Sequence, residues 1–415
     1  EGVVADVQAA QARIAQSRHP LTRLSLQAGL GILVGLAMTV GWMRADTAAR
    51  SYRPLITDNW YKALDTIRTD TEPDAMICSW WDFGDWFKTV AARPVLFDGQ
   101  SQHTPVAYWM ARVLMTDDER EAVRILRMLN GPSYSLFDEL APAIPDPYAR
   151  IVLFDSLCRS DREEAEAVLD RYALAEPQRK RLREAFYGRP PVPAYFIVDF
   201  GMPGKTGAIS FLGNWDFSKR YVMSNRARSR EAVIDELGAV FGLSPQQAES
   251  RYREVILAST RQDVSEVVSR RMYFVAGDTA GEEHAGKVYF DNGLVFDPDE
   301  ESALYHARQG FVPVKELLLM EGGQVRSVTG EADAGGNEGQ GKRPAGRFLC
   351  VRSEEGWRSV GVSSPELARS MLSRLYFGRG EGLEYFSPFY ADEKAGIYVY
   401  RMRWEGPGTG ERSGQ

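Results

Sequence analysis

The sequence has 415 residues and a hydrophobic share of 44%, which is enough apolar material for two or three packed domains. Its formal net charge of −7 argues against the basic footprint of a nucleic-acid-binding protein. The three cysteines are widely spaced, and the four histidines form no H-x-x-x-H pair, so we expect neither a disulfide framework nor a metal site. The chain begins with Glu1 rather than Met, and we expect it to be part of a longer polypeptide.

The first predicted element is a membrane-spanning helix. The run Leu24–Met43 contains no charged residue and lies between Arg23 and Arg44. At a rise of about 1.5 Å per residue it measures roughly 30 Å, the hydrocarbon thickness of a bilayer. Arginines precede the run, so the positive-inside rule predicts a cytoplasmic lead at 1–23, an inner-membrane helix at 24–43 and a periplasmic remainder. A signal peptide is the alternative, but the polar lead is long and no small-residue cleavage pattern follows.

A rare motif follows a predicted helix over Ser51–Asp70 and a short apolar run, Met76–Cys78. The adjacent residues Trp80, Trp81 and Asp82 suit recognition of an aliphatic hydroxyl group. An ionised Asp82 can accept the hydroxyl proton while the two indole N–H groups donate to its oxygen. A pocket of this kind rejects an analogue without the hydroxyl, because its own buried polar groups would then be unpaired. The alternative interpretation is a pair of core tryptophans beside a helix-capping aspartate.

The segment Trp80–Gly84 resembles the Trp-Trp-Asp-Tyr-Gly motif of the oligosaccharyltransferase catalytic subunit, the enzyme of asparagine-linked protein glycosylation. Phe83 stands in place of the usual tyrosine, whereas the first three residues of the motif are intact. In that family the motif holds the Ser or Thr two residues after the acceptor Asn. The resemblance implies that Trp80, Trp81 and Asp82 bind the substrate.

The sequence between this motif and residue 190 predicts a strand and several helices. Arg93–Gly99 reads as a strand that ends in a turn. An amphipathic helix begins at Asp117-Asp118 and ends at Asn130-Gly131-Pro132. Ser160 with Glu163 has the spacing of a capping box, which predicts the start of another helix.

A second motif follows a predicted buried strand at Tyr195–Val198. Met202, Lys205 and Ile209 have the spacings of three and four that place side chains on one helical face. They resemble a hybrid of two family motifs, a bacterial one with Met and Ile and an archaeal and eukaryotic one with Asp and Lys. The resemblance implies that Met202 and Ile209 meet the methyl of an acceptor Thr, and that Lys205 pairs with Asp82 or a backbone carbonyl. The alternative is a simple strand-to-helix turn.

The remaining elements complete an α+β fold: one N-terminal transmembrane helix, then a mixed helical/sheet globular domain with a β-rich C-terminal part. They are two helices in 229–271, the second capped by Ser244; a hairpin turning at Asp291-Asn292-Gly293; a flexible loop at 329–346; a helix at Ser370–Tyr376; and a strand at Ile397–Met402. The predicted divisions are an acceptor-recognition core at 45–228, a helical insertion at 229–271, a β-rich subdomain at 285–403 and a flexible tail at 404–415.

The resemblance implies the last membrane helix and the periplasmic globular domain of a bacterial-type oligosaccharyltransferase. Such an enzyme moves a glycan from a lipid-linked pyrophosphate donor to Asn in Asn-x-Ser/Thr, with Mn²⁺ or Mg²⁺ as cofactor. Its metal ligands and catalytic residue belong to the preceding multi-span region, so we expect no catalytic residue here and no activity from this part alone. The implied partners are the acceptor polypeptide, the membrane and, through the preceding region, the lipid-linked oligosaccharide; no nucleic acid is expected.

Two other functions fit the same residues. One is a single-pass membrane-anchored periplasmic module that binds hydroxyls or carbohydrate without catalysis. The other is a structural envelope protein in which the tryptophans only pack. The sequence upstream of Glu1 distinguishes the transferase from the binding module. Many hydrophobic spans before Glu1 would indicate the transferase, and an immediate start codon would indicate the module.

Overall fold

The computed structural model describes residue 12 and residues 20–51, 56–131, 135–188, 192–258, 266–308, 310–328 and 345–405. The chain divides into two compact units, Glu1–Asp58 and Asn59–Gln415. The first unit contains helix α1, Pro20–Ser51. Its segment Gln27–Arg50 is, in the described part of the chain, the one helix long and apolar enough to cross a membrane. The predicted N-terminal apolar helix is therefore confirmed.

The second unit combines helices with two β-sheets. The helices are α2 (Asp58–Asp70), α3 (Gly84–Thr89), α4 (Val106–Met115), α5 (Glu119–Asn130), α6 (Leu136–Glu139), α7 (Pro147–Arg159), α8 (Arg162–Leu169), α9 (Glu176–Tyr187), α10 (Thr206–Gly213), α11 (Phe217–Ser224), α12 (Arg230–Phe241), α13 (Pro245–Leu257), α14 (Pro365–Arg369) and α15 (Met371–Tyr376). The strands are β1 (Met76–Cys78), β2 (Ala194–Asp199), β3 (Phe274–His284), β4 (Lys287–Phe290), β5 (Leu294–Asp297), β6 (Ser302–Ala307), β7 (Gly310–Glu321), β8 (Gln324–Ser327), β9 (Ala345–Ser353), β10 (Gly356–Val362), β11 (Phe386–Asp392) and β12 (Ile397–Met402). The predicted α+β class with a strand-rich C-terminal part is confirmed.

The first sheet has four strands in the order β1-β2-β12-β11. β1 runs parallel to β2, whereas β12 is antiparallel to both β2 and β11. All six residues of β2 are buried, as expected of a central strand covered on both faces. Helices α4, α5 and α7–α10 pack with this sheet into the largest hydrophobic cluster of the described residues.

The second sheet has the order β6-β5-β4-β3-β10-β9-β7-β8, and a further pairing of β6 with β7 closes it into a barrel. β7 closes the barrel because it is long enough to form hydrogen bonds with β6 along its first part and with β9 along its second part. Its first residues, Gly310–Pro313, pair with β6, and the residues from Val314 onward pair in parallel with β9. Apolar side chains of alternate positions, including Phe290, Phe296 and Trp357, fill the interior.

Several predicted element boundaries are confirmed. β4 and β5 form the expected hairpin, in which Val288 lies opposite Phe296. Ser244 caps α13 in a capping box with Pro245 at the first helical position. Asp118 caps α5, where its carboxylate accepts the Arg120 N–H at 2.8 Å.

Other boundaries were wrong. Arg93–Gly99 is not a strand, because only Val95 forms a bridge, to Ile77. The capping box lies one residue later than predicted, because the Asp161 carboxylate accepts two helix N–H groups and Glu164 bonds back to the Asp161 N–H. Helix α2 begins at Asp58 rather than Ser51.

The two predicted flexible segments lie mostly outside the described residues. Of the predicted loop at 329–346, residues 329–344 are not described, and β9 begins at Ala345. Of the predicted tail, residues 406–415 are not described. Trp404, at its start, is buried and its indole N–H donates to the Val192 carbonyl at 3.2 Å.

Candidate hydroxyl-binding site at the ends of two parallel strands

The parallel pairing of β1 and β2 brings the two sequence motifs together. Met76 lies opposite Ala194, and Cys78 lies opposite Phe196, so both strands end at the same edge of the sheet. One residue beyond β1, the Ser79 hydroxyl donates to the Ile197 carbonyl at 3.0 Å and extends the connection. The segment after β1 carries Trp80–Asp82, and the segment after β2 carries the second motif. The carboxyl edge of parallel strands is the usual place for a ligand site in such sheets.

The contact between the motifs is an ion pair. The Lys205 ammonium lies 2.8 Å from the Asp82 carboxylate, with the two side chains 37% and 19% exposed. Of the two partners predicted for Lys205, the structure contains Asp82. Because the pair is partly exposed to water, its contribution to stability is small. Its significance is chemical: a carboxylate acceptor and an ammonium donor lie side by side, within reach of solvent.

Aromatic rings fix the position of this pair. Trp80 is buried and packs edge-on against Phe97, with ring centroids 5.3 Å apart. Phe83 stacks on Trp86 at 4.5 Å, and the Lys205 ammonium lies 5.7 Å from the centre of the Phe83 ring. Phe83 thus supports Lys205 through its ring face, an interaction that needs no phenol.

The two tryptophans differ in their exposure. Trp80 retains 4% of its surface exposure, whereas Trp81 is half-buried beside the core. Neither indole nitrogen makes a hydrogen bond to another described residue. The donors that the sequence assigns to a hydroxyl ligand are therefore not used within the described structure.

Asp82 does not act as a helix cap. The N-cap position of α3 is Phe83, and no side-chain hydrogen bond is made there. The short 3₁₀ turn Trp81–Phe83 is capped by Trp80, again without a side-chain hydrogen bond. The alternative in which the aspartate caps a helix is therefore not what the structure contains.

The glycine of the motif has a packing role. A Cβ atom on Gly84 would lie 2.6 Å from the Asp98 Cβ and 2.8 Å from its Cα, so only glycine lets α3 begin this close to the segment after Phe97. Asp98 anchors the segment. Although burial opposes its ionisation, hydrogen bonds from Lys88 and Ser101 lower the pKa of Asp98 to about 2. The carboxylate is charged at neutral pH and holds both partners.

Asp199, which the sequence analysis did not select, lies next to the ion pair. It is the last residue of β2, is 2% exposed and accepts the Gly201 N–H at 2.7 Å. Burial raises the pKa of Asp199 to about 6; the Asp82 charge acts in the same direction, while the Gly201 hydrogen bond and the Lys205 charge oppose the rise. A carboxyl residue ending an otherwise apolar strand was the available sequence signal.

Met202 and Ile209 lie beneath the surface. They are 1% and 0% exposed and belong to the main hydrophobic cluster. Pro203–Lys205 forms a 3₁₀ turn between Met202 and helix α10, on which Ile209 lies. A direct contact of either residue with an acceptor methyl remains a prediction. The same turn lines one side of a shallow cavity of about 370 Å³, to which Phe200 and Tyr376 also contribute.

No metal site is assigned to this chain. Among residues 20–51, 56–131, 135–188, 192–258, 266–308, 310–328 and 345–405, no three His, Cys, Asp or Glu side chains come together to hold an ion. The Mn²⁺ or Mg²⁺ that the family resemblance implies does not fit a described set of residues. We therefore derive no chemical step through a metal.

Comparison with known proteins supports the resemblance seen in the motifs. A dolichyl-phosphooligosaccharide-protein glycotransferase of Methanocaldococcus jannaschii is 29% identical over 189 residues, which is 44% of this chain and 20% of that protein. A protein of the same name from Methanococcus voltae is 23% identical over 346 residues, which is 80% of this chain and 35% of that protein. No family model matches the sequence.

Among solved structures, the C-terminal domain of PglB from C. jejuni is similar to this chain. The match covers 83% of this chain and 99% of that domain, with 11% sequence identity and a TM-score of 0.35. A structural likeness this low carries no argument about function. The chain spans about a fifth and about a third of the length of the two curated relatives. The sequence comparisons confirm that the chain resembles oligosaccharyltransferases.

Proposed function

We propose that this chain is the acceptor-recognition part of an oligosaccharyltransferase that moves a glycan from a lipid-linked pyrophosphate donor to Asn in Asn-x-Ser/Thr. The observation that carries the proposal is the ion pair between Asp82 of the Trp-Trp-Asp motif and Lys205 of the second motif, at the shared end of β1 and β2. The names of the curated relatives support a glycosyltransferase. The acceptor hydroxyl, the donor and the membrane orientation belong to the proposal.

The chemistry of the pair suits a Ser or Thr side chain. A hydroxyl has one donor hydrogen and two acceptor lone pairs. Asp82 accepts the hydrogen, while the Lys205 ammonium or an indole N–H of the motif donates to the oxygen. An acceptor peptide without the hydroxyl displaces water from Asp82 and Lys205 but forms no hydrogen bond with them. This unpaired state is the physical basis of selection at this position.

The bound acceptor is held, not activated, by these residues. Asp82 is paired with a cation, and Lys205 with a carboxylate. Neither arrangement cleaves the sugar–pyrophosphate bond or raises the nucleophilicity of an asparagine amide. The proposal therefore includes no catalytic residue here, and it assigns the metal, its ligands and the activating group to the preceding multi-span region that the family resemblance implies.

The test is substitution of Asp82 by Ala in the complete enzyme. Acceptor use with Thr at the +2 position should fall about ten- to hundredfold, which corresponds to about 1–3 kcal/mol for a charged group left unpaired. The loss should be much smaller for a peptide with Ala at +2, because that peptide never makes the contact. The measurement is kcat/KM for the two peptides.

Asp85→Ala is the matched control. Asp85 lies three residues further on, and its side chain is 79% exposed. This variant removes the same charge from the same segment without touching the Asp82–Lys205 pair, so both acceptors should be used as before. A folded Asp82→Ala enzyme that uses both peptides normally, or loses both equally, refutes the proposed role.

The chain by itself should transfer no sugar. With a lipid-linked donor, an Asn-x-Thr peptide and either Mn²⁺ or Mg²⁺, mass spectrometry of the peptide should detect no glycosylated product, because the described residues provide no metal cluster. Binding of the peptide should still be measurable. Metal-dependent turnover by this chain would contradict the assignment.

A further inference from the structure

A cavity of about 510 Å³ lies apart from the residues of the hydroxyl site. Helix α5 forms one wall, the ends of α8 and α9 meet it, and the last described residues of the chain close it. The lining contains four arginines, Arg120, Arg124, Arg127 and Arg162, and one carboxylate, Glu405. In a chain with a net charge of −7, this concentration of positive charge is local.

Three of the four arginines donate hydrogen bonds to backbone carbonyls. Arg127, which is only 9% exposed, donates to the Gly188 carbonyl at 2.8 Å and to the Trp404 carbonyl at 2.6 Å. Arg124 donates to the Cys158 carbonyl at 3.3 Å, and Arg162 to the Tyr187 carbonyl at 2.6 Å. Neutral carbonyls orient these guanidinium groups without neutralising them.

Within the described ranges, none of the four arginines forms an ion pair at 4.0 Å or less. Arg112, on the preceding helix, shows the contrast, because Glu121 pairs with it at 2.8 Å. Burial lowers the pKa of Arg127, although the Glu405 charge opposes this effect. The cavity therefore favours a ligand that brings negative charge.

We propose that this cavity binds a small organic ligand through an oxyanion group, either phosphate or carboxylate. Guanidinium groups bind both oxyanions through paired, charge-assisted hydrogen bonds. The volume lies in the range of small-molecule sites and exceeds what one inorganic ion fills. Tyr187 and Tyr385, which also line the cavity, offer aromatic surface to the organic part. None of these residues belongs to the hydroxyl site, so the inference does not rest on the proposed function.

The test is calorimetric titration of the full chain in detergent with four probes. Glucose 1-phosphate and glucuronate carry the two oxyanions on the same kind of ring, glucose carries neither, and inorganic phosphate lacks the ring. At least one of the two charged sugars should bind saturably with one site per chain, and more tightly than glucose or inorganic phosphate. Whichever charged sugar binds more tightly identifies the oxyanion. Its affinity should fall as salt is raised, because screening weakens charge–charge attraction.

Two variants connect the binding to the cavity. Arg124→Gln removes charge from a half-buried position and Arg162→Gln from an exposed one, and each should weaken binding at least about tenfold. Arg127 is left intact because it is buried and its hydrogen bonds connect α5 to Gly188 and Trp404. Arg253→Gln on α13, where the side chain is 72% exposed, makes the same change elsewhere and should bind like the parent chain.

The melting temperature of each variant separates loss of binding from loss of folding. A variant that melts early is replaced by its Lys counterpart, which keeps the charge but loses the planar fork and should bind with intermediate affinity. The proposal is overturned if neither charged sugar binds, if inorganic phosphate or glucose binds as tightly, or if Arg124→Gln and Arg162→Gln leave the affinity unchanged.

Discussion

Asp199 is a buried carboxyl group with a raised pKa. It ends the central strand β2, where burial raises its pKa from the ordinary value of 3.8 to about 6. The folded protein therefore holds a proton at a pH where the unfolded chain has released it. The contribution of Asp199 to stability is complete below about pH 4, and it declines as the pH rises toward 6 and beyond.

The corresponding prediction concerns Asp199→Asn, which keeps an acceptor for the Gly201 N–H and removes the titration. From pH 4 to pH 7, the parent chain should lose up to about 3 kcal/mol of stability relative to the variant, because one pKa unit corresponds to about 1.4 kcal/mol. Melting temperatures of both proteins across this pH range test it. If the melting temperatures of the two proteins change equally with pH, Asp199 does not have the raised pKa that its burial indicates.

At the scale of elements, α3 packs closely against the segment after Phe97, and the contact between Gly84 and Asp98 makes this packing possible. Gly84 begins the helix, and the Asp98 Cβ and Cα lie where a Gly84 side chain would extend. Lys88, one turn along the same helix, pairs with Asp98. The glycine and the ion pair therefore act on the same contact, which holds the helix that follows Trp80–Phe83.

Gly84→Ala should accordingly lower the free energy of unfolding by about 1–3 kcal/mol, the usual cost of forcing extra volume into a packed contact. Gly99→Ala is the control: it lies in the same segment, and a Cβ there meets nothing within 4 Å. Thermal unfolding of the two variants in the same buffer tests the difference. Equal stability of the two would mean that α3 moves away from Asp98 without cost.

Elements defined by local signals could be predicted from the sequence, and those defined by distant partners could not. Asp291-Asn292-Gly293 specifies its hairpin within a few residues, and Ser244-Pro245 specifies a helix start. Arg93–Gly99 has the composition of a strand, but only one bridge forms there. The closure of the barrel by β7 likewise depends on partners far away in sequence.

The candidate site shows the same division. Trp80–Asp82 could be selected from the chemistry of adjacent residues, and the family resemblance suggested Lys205 as a partner. The parallel register of β1 and β2, which makes this contact possible, carries no local signal because parallel neighbours need a long crossover. Asp199 was missed although it follows a predicted buried strand, because its position beside Asp82 and Lys205 depends on contacts that are distant in sequence.

At the scale of the whole molecule, the prediction concerns membrane orientation. The segment Gln27–Arg50 can cross a bilayer, and the arginines before it favour a cytoplasmic start. Protease added outside cells whose wall has been removed should therefore digest the globular unit, while a cytoplasmic marker protein stays intact. Digestion that occurs only after the cells are lysed would reverse the orientation.

Because β12 is a neighbour of β2 in the sheet but comes much later in the sequence, the sheet at the site is completed late during synthesis. β1 and the Trp-Trp-Asp motif leave the ribosome before β2, which follows more than a hundred residues later. The other neighbour of β2 is β12, Ile397–Met402, which is much further along the sequence. Until β12 is made, one edge of β2 has unpaired N–H and C=O groups. A ribosome that stalls within the barrel therefore leaves a nascent chain that displays both motifs on an incomplete sheet, where chaperones or proteases can bind the open edge.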